Sequence, residues 1–240
     1  LVERSKADII LVGDSLGMVV LGYENTLQVT LDDIIHHTKA VRRGAGDTFI
    51  VADMPFMTYH LDLKDTKINA SRLITEGMAN AVKLEGGSDS RIAAIKAIVD
   101  CEIPVVAHLG LTPQSIHKFG GYKVQGKTQE KYHEILTEAI RVEEAGAFML
   151  VLEGIPEGLA KEISETLKIP TIGIGAGKYT DGQVLVYHDI LGNSDYKAKF
   201  VKSYADLDSL IPQSLTQFTE EVKAGIFPKT EHTYFPIEEK

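Results

Sequence analysis

The sequence lacks several features that would place it in a protein class at once. It has one cysteine in 240 residues, so it cannot form an internal disulfide, which is typical of proteins from a reducing compartment. No apolar run approaches the roughly 20 residues that a membrane-spanning helix needs. Basic residues are in the minority, and the net charge of -9 disfavours nucleic acid as a partner. We therefore expect a cytoplasmic protein that binds neither nucleic acid nor a membrane.

The chain also lacks a low-complexity linker or a shift in composition that would divide it. Hydrophobic residues make up 44% of it, which is enough for a sizeable core. We expect a single domain over residues 1–240. It ends in a tail at about 226–240, where aromatic residues stand between prolines and are expected to pack across a surface.

Apolar periodicity predicts strands and helices in alternation. The strands are expected at 9–13, 49–52, 81–84, 104–107, 148–152, 171–174 and 184–187. The helices are expected at 31–44, 66–78, 89–99, 128–145, 157–167 and about 206–224. Strands such as VVAHLG are apolar without alternation, as in a parallel sheet covered on both faces. The sequence therefore predicts a parallel α/β fold.

Two closures of such a sheet remain open. One is a doubly wound sheet, and the other is a (β/α)8 TIM barrel, for which seven strands are one too few. The first residues, LVERSKAD, read like the last turns of a helix. We expect a first strand and most of a first helix to be missing before them, and that strand would complete a barrel.

Ionisable side chains collect where the predicted strands end, which is where parallel α/β sheets bind their ligands. In chain order these strand-end residues, with one adjacent hydroxyl, are Asp14, Ser15, Asp53, Lys83, Glu85, His108 and Glu153. Each acid alone fits a helix cap. Together they repel, by roughly 4 kcal/mol for a pair about 4 Å apart at an effective dielectric near 20. A hard divalent cation such as Mg²⁺ would offset this charge better than Lys83 alone.

A glycine run, GIGAG, follows a late strand and contains Gly173, Gly175 and Gly177. Its even spacing does not match a dinucleotide-binding fingerprint. Such glycines allow a flat or bulky ligand to approach the backbone, and a barrel phosphate site is the lesser alternative. The stretch from His108 to Lys127 is too long for an ordinary strand-to-helix connection and is expected to be a lid or binding loop.

Several motifs in register give a more specific indication. LVGDSLGMVVLGYENTLQVTLDD, ADMPF, VKLEGG, AHLGLTPQS, FGGYKVQGK, LVLEGIP, IGIGAG and FPKTEHTYF closely resemble the ketopantoate hydroxymethyltransferase family. The resemblance implies a (β/α)8 barrel of the phosphoenolpyruvate mutase/isocitrate lyase type, with one Mg²⁺ per subunit. It also implies a cytoplasmic homo-oligomer, a decamer of stacked pentamers. The chain departs from the family pattern at its start and around residues 192–196, where the connection is short.

The resemblance also implies a reaction and a role for each strand-end residue. The reaction transfers a hydroxymethyl group from 5,10-methylenetetrahydrofolate to the keto acid 3-methyl-2-oxobutanoate, forming 2-dehydropantoate. Asp14, Asp53 and Glu85 resemble the metal-binding acids, Asp14, Ser15, Asp53, Lys83 and His108 the contacts to the keto acid, and Glu153 the general base. The folate is expected over the GIGAG glycines or under the long loop.

Two other functions fit the same residues. A related Mg²⁺ barrel could cleave a carbon–carbon bond, since the same enolate stabilisation serves both directions of such chemistry. Isocitrate-type lyases carry a catalytic cysteine on a lid, however, and this chain has no cysteine after Cys101. A non-catalytic barrel that binds keto acids is the other alternative, but it would not need Glu153.

Overall fold

The computed structural model describes residues 1–194 and 198–236. The chain divides into two compact units, residues 1–184 and 185–240. The expectation of a single domain over the whole chain stays a prediction. The short connection predicted around residues 192–196 lies in part outside the described residues, as does the end of the tail at 237–240.

The first unit is a parallel sheet whose strands follow one another in chain order. The strands are β1 (Ile9–Val12), β2 (Phe49–Asp53), β3 (Ala81–Glu85), β4 (Val105–Gly110), β5 (Met149–Glu153), β6 (Thr171–Ile174) and β7 (Gly182–Gln183). The helices are α1 (Leu16–Val19), α2 (Leu31–Gly44), α3 (Leu63–Thr75), α4 (Asp89–Val99), α5 (Ile116–Phe119), α6 (Gln129–Glu144) and α7 (Glu157–Thr166). The predicted parallel α/β fold is confirmed.

Local capping explains where the longer helices begin. Thr30 and Asp33 form a reciprocal capping box at the start of α2, which therefore begins as predicted. The start predicted for α3 is wrong, because the Asp62 side chain accepts a hydrogen bond from the Asp65 N–H and begins the helix earlier. The short helix α1 was not predicted, since four residues carry no periodicity to read.

Alternate side chains of the strands face opposite sides of the sheet. One side packs against the helices and holds the larger apolar cluster, which includes Ile50, Leu84 and Leu152. The other side, which we call the inner face, holds a smaller cluster with Val51 and Val106. Residues of all seven strands line one cavity of about 240 Å³ there, so the sheet curves around its inner face.

The last predicted strand is misplaced. The strand was expected at 184–187, but β7 is Gly182–Gln183, and Gly182 pairs with Ile172. The reason is a polar anchor just before it, because Asp181 accepts hydrogen bonds from both the backbone N–H and the hydroxyl of Thr171. This anchor fixes the start of pairing at residue 182. The apolar run that suggested a strand leads instead into a short helix.

The second unit contains that short helix, α8 (Tyr187–Ile190), and the long helix α9 (Leu207–Lys223). The Asp206 side chain caps α9 by accepting a hydrogen bond from the Ser209 N–H. Beyond α9 the tail folds back, and the ring of Phe227 lies 5.5 Å from that of Phe218. In the part of the chain that the structure describes, no helix has the length and apolar character needed to cross a membrane.

Candidate active site

Strand periodicity places five of the predicted site residues on one face of the sheet. Asp53, Lys83, Glu85, His108 and Glu153 lie two or four positions after inner-face residues of their strands, so their side chains share that face. The strand register sets Asp53 beside Lys83 and Glu85 beside His108. Because parallel strands end at the same edge of the sheet, the positions of these five residues in the sequence are enough to bring their side chains close together.

Asp14, which follows β1, joins this group. Its backbone N–H donates to Asp53 Oδ2 at 2.9 Å, and its Oδ2 accepts from Gln114 Nε2 at 2.8 Å. Ser15 is the N-cap of α1, without a side-chain capping bond. Within the described residues, the carboxylate of Asp14 accepts a hydrogen bond from the Gln114 side chain and none from the helix that follows, which disfavours the capping alternative.

We call Asp14, Asp53 and Glu85 the acid cluster. All three are at most 4% exposed. Burial, followed by the charges of Asp53 and Glu85, raises the pKa of Asp14 well above its ordinary value, and Lys83 and Gln114 oppose this. The acid cluster is therefore short of positive charge.

Lys83 is the cation nearest to the acid cluster. Its Nζ lies 2.9 Å from Asp53 Oδ1, and both side chains are at most 5% exposed. Burial alone would lower the pKa of Lys83, but the charges of the acid cluster outweigh burial and raise that pKa above its ordinary value. Lys83 therefore stays charged, and within the described residues Asp53 Oδ1 has this ion pair but no aligned hydrogen bond.

His108 lies between the acid cluster and Glu153. Its Nδ1 is 3.5 Å from Glu85 Oε1 and 3.3 Å from Lys83 Nζ, and its Nε2 is 3.2 Å from Glu153 Oε2. Burial and Lys83 lower the pKa of His108, but the contacts with Glu153 and Glu85 outweigh them and raise it to about 9. The raised pKa favours the protonated ring at neutral pH, and the ring separates Glu153 from the acid cluster.

The raised pKa of His108 predicts a pH-dependent contribution to stability. A group whose pKa rises on folding stabilises the folded state. For His108 this contribution is complete at a pH below 6.5, the pKa in the unfolded chain, and is lost as the pH rises through about 9, the pKa in the folded chain. We expect the stability advantage of the wild type over His108→Gln to shrink across this range. Urea unfolding of both metal-free proteins, from about pH 6 to about pH 9.5, measures it. An advantage that stays constant with pH would contradict this charge state.

Two residues of this group were missed by the sequence analysis. Gln114 and Tyr59 are buried, and Tyr59 O–H donates to Gln114 Oε1 at 2.5 Å. The backbone N–H of Gln114 also donates to Glu85 Oε2 at 3.0 Å. Gln114 stands inside the AHLGLTPQS motif, but it is neutral and lies beyond the strand end, so a search for ionisable strand ends passes over it.

The glycines of the GIGAG run are explained by contacts within the chain. A Cβ on Gly173 would lie 2.6 Å from Thr180 Oγ1, and one on Gly177 would lie 2.4 Å from Glu157 Cγ. Gly175 has a φ of +62°, which favours glycine. These glycines therefore need no ligand to account for them, and their predicted folate contact stays a prediction.

The long loop after β4 is tied to the strand that carries Glu153. Leu111 N–H donates to Glu153 O at 2.8 Å, and Gln125 N–H donates to Gly154 O at 2.9 Å. Gly110 has a φ of +96°, and a Cβ there would lie 2.2 Å from Glu153 O. Only glycine allows the loop to leave β4 this close to β5. The lid role predicted for the loop stays a prediction.

Because β5 lies so close to Gly110, adding a single methyl group at this position is expected to destabilise the fold strongly. We expect Gly110→Ala to lower the free energy of unfolding by about 2–3 kcal/mol, because alanine is strained at this φ and collides with β5. The matched control is Gly158→Ala, whose Cβ would meet nothing within 4 Å. It should stay within about 1 kcal/mol of the wild type. Equal melting temperatures for both variants would show that the contact does not constrain β5.

The side chains do not form a ready-made metal site. Among residues 1–194 and 198–236, no three His, Cys, Asp or Glu side chains are grouped so that they could hold a metal ion. The oxygens of the acid cluster face Lys83, Gln114 and the backbone N–H groups described above. The arrangement can hold negative charge, position an anion against Lys83 and His108, and present Glu153 as a separate proton acceptor.

Known proteins are similar to this sequence over nearly its whole length. The model of the ketopantoate hydroxymethyltransferase family matches residues 1–230. A 3-methyl-2-oxobutanoate hydroxymethyltransferase of Bacillus pumilus is 56% identical over 238 residues, covering 99% of this chain and 85% of that protein. The family resemblance predicted from the motifs is confirmed.

Solved structures share the fold at low identity. A 2,3-dimethylmalate lyase of the PEP mutase/isocitrate lyase superfamily has a TM-score of 0.55 and is 14% identical, over 96% of this chain and 79% of that chain. Phosphonopyruvate hydrolase in complex with oxalate and Mg²⁺ has a TM-score of 0.57 and is 12% identical, over 96% and 83%. The chain thus has a fold similar to that superfamily.

Proposed function

Because the chain belongs to the ketopantoate hydroxymethyltransferase family, we propose that it transfers a hydroxymethyl group to 3-methyl-2-oxobutanoate. The donor is 5,10-methylenetetrahydrofolate and the product is 2-dehydropantoate, which serves pantothenate synthesis. In the net reaction the C3–H bond and both methylene C–N bonds break, and a C–C bond forms at C3. One water supplies the new hydroxyl group, and two protons go to the folate nitrogens.

The position of His108 is the observation that carries this proposal. His108 faces Glu85 with one ring nitrogen and Glu153 with the other, at 3.5 and 3.2 Å. The inner face thus offers the acid cluster on one side of a cation and a single carboxylate on the other. Enolate chemistry needs this separation. The carboxylate that takes the C3 proton must be free to act as a base, whereas other carboxylates hold the cation that stabilises the enolate.

The donor chemistry of the acid cluster fits a Mg²⁺ ion, although its side chains are not grouped around one in the described part of the chain. Three buried carboxylates at neighbouring strand ends are hard oxygen donors. Burial, followed by the charges of Asp53 and Glu85, raises the pKa of Asp14. Asp14, Asp53 and Glu85 would hold the ion after exchanging some of their present hydrogen bonds. When bound, Mg²⁺ supplies Lewis-acid stabilisation of negative charge that develops on the keto oxygen.

The other residues have separate tasks in the proposal. Glu153 removes the proton from C3 as the general base. Lys83 and His108 attract the carboxylate of the keto acid. Asp14 and Asp53 line the same site, and Ser15 orients the keto acid through a hydrogen bond. Because His108 also contacts Glu153, it holds the base towards the substrate.

We further propose a (β/α)8 barrel, with a first strand that completes the sheet, in a cytoplasmic homo-oligomer of stacked pentamers. Family membership supports this. We propose that the folate lies under the loop of residues 110–127 and not over the GIGAG glycines, because packing and backbone conformation within the chain already explain those glycines. The loop is bound to the strand of Glu153 by the hydrogen bonds of Leu111 and Gln125.

One assay tests the proposed activity. Purified protein is mixed with Mg²⁺, 3-methyl-2-oxobutanoate and methylenetetrahydrofolate, and 2-dehydropantoate is measured by mass spectrometry. We expect product, its loss when a chelator is added, and its return with excess Mg²⁺. If the folded protein forms no product, the proposal is wrong, and chelator-resistant activity would remove the metal from it.

A further inference from the structure

Both polar atoms of the Gln114 side chain, and its backbone N–H, form hydrogen bonds with buried residues. Its Nε2 donates to Asp14 Oδ2 at 2.8 Å and to Met54 O at 3.0 Å. Its backbone N–H donates to Glu85 Oε2 at 3.0 Å, and its Oε1 accepts from Tyr59 O–H at 2.5 Å. The residue itself is 6% exposed. One neutral residue therefore contacts two members of the acid cluster, Asp14 through its side chain and Glu85 through its backbone N–H.

Asp14 and Met54 decide which way the amide of Gln114 points. The Asp14 carboxylate and the Met54 carbonyl accept hydrogen bonds, so the NH₂ group of Gln114 must face them. Oε1 then faces the Tyr59 hydroxyl, which donates to it while accepting a hydrogen bond from the backbone N–H of Glu85 at 3.3 Å. Flipping the amide would bring Oε1 against a carboxylate and a carbonyl oxygen, so a single orientation satisfies all the groups.

We propose that Gln114, held in place by the Tyr59 hydroxyl, is the positioning residue of the acid cluster and sets its affinity for a divalent cation. This proposal rests on the proposed function, which assigns the metal to these acids. A neutral donor suits the task, because it fixes Asp14 and Glu85 by hydrogen bonds without cancelling their charge. A lysine or arginine would compete with the cation, and a glutamate would add another negative charge to a buried site.

The isosteric change Gln114→Glu tests the proposal. Glutamate keeps the size of the side chain, but in its ionised form it cannot donate to Asp14. We expect the Mg²⁺ dissociation constant, measured by calorimetry on the full-length protein, to rise by about 10–100-fold, as for other partners of metal ligands. Tyr59→Phe should raise the dissociation constant by a smaller factor, because it removes the hydrogen bond to Oε1 and leaves the amide in place.

Matched controls separate positioning from charge and from folding. Gln129→Glu makes the same change on an exposed residue, and Tyr132→Phe removes a hydroxyl that binds Glu162 away from the acid cluster. Both should bind Mg²⁺ as the wild type does. Melting temperatures without metal show whether each variant folds. If Gln114→Glu does not fold, Tyr59→Phe carries the test.

The outcomes distinguish this inference from the proposed function. If the wild type forms product and Gln114→Glu and Tyr59→Phe bind Mg²⁺ with wild-type affinity, the positioning role is wrong although the activity stands. If the wild type binds no Mg²⁺, the inference is overturned as well. If it binds Mg²⁺ and loses affinity in both variants but forms no product, the positioning role stands and the proposed activity fails.

Discussion

Glu153→Gln is expected to lower kcat by about 10²–10⁴-fold, because glutamine cannot accept the proton from C3. Glutamine has the same size, and Glu153 lies outside the acid cluster, so binding of Mg²⁺ and of keto acid should change little. The measurement is deuterium exchange at C3 of 3-methyl-2-oxobutanoate, followed by NMR. This exchange needs only the base and the metal, and it does not depend on the folate.

Glu144→Gln is the control for this experiment, since Glu144 is exposed on the last turn of α6. Its exchange rate should equal that of the wild type. Wild-type exchange in Glu153→Gln would remove Glu153 as the base. Weaker keto acid binding with an unchanged kcat would instead assign it to substrate binding.

Lys83→Met is expected to lower the free energy of unfolding by about 3–5 kcal/mol, the usual cost of removing one partner from a buried ion pair. The reason is that Asp53 would keep its charge in a buried place without the ammonium group 2.9 Å away. Chemical denaturation of the metal-free protein measures the change. Lys96→Met, on the exposed side of α4, is the matched control and should be close to neutral.

A second variant shows whether the loss comes from charge. Adding Asp53→Asn to Lys83→Met removes the carboxylate left without a partner, so the double variant should recover part of the lost stability. A double variant that is less stable by the sum of the two single losses would contradict the ion-pair explanation. Packing of the lysine stem in the cavity would then account for the effect.

Most of the sheet could be predicted from the sequence because buried parallel strands are short apolar runs that end in polar residues. That pattern found β1 to β6 and placed the acids, Lys83 and His108 at one edge. It misplaced β7, because its position depends on the contact between Asp181 and Thr171, two side chains ten residues apart whose pairing no periodicity reveals.

The charged residues of the site could be predicted from the sequence, but its neutral residues could not. Gln114 and Tyr59 carry no charge, and their importance lies in hydrogen bonds to residues from three other segments of the chain. The protonated state of His108 was also outside the reach of the sequence. It depends on two carboxylates that approach the ring from β3 and β5.

The two hydrogen bonds that tie the long loop after β4 to the end of β5 affect which residues of that loop can be changed. Leu111 and Gln125 bind consecutive residues, Glu153 and Gly154, so the two ends of the loop are brought together at one place. A loop closed in this way resembles an Ω-loop, whose interior can gain or lose residues without altering the distance between its ends. Residues 115–124, none of which is buried, could therefore be exchanged as a module for a different second substrate, while Gln114 and Glu153 keep their positions.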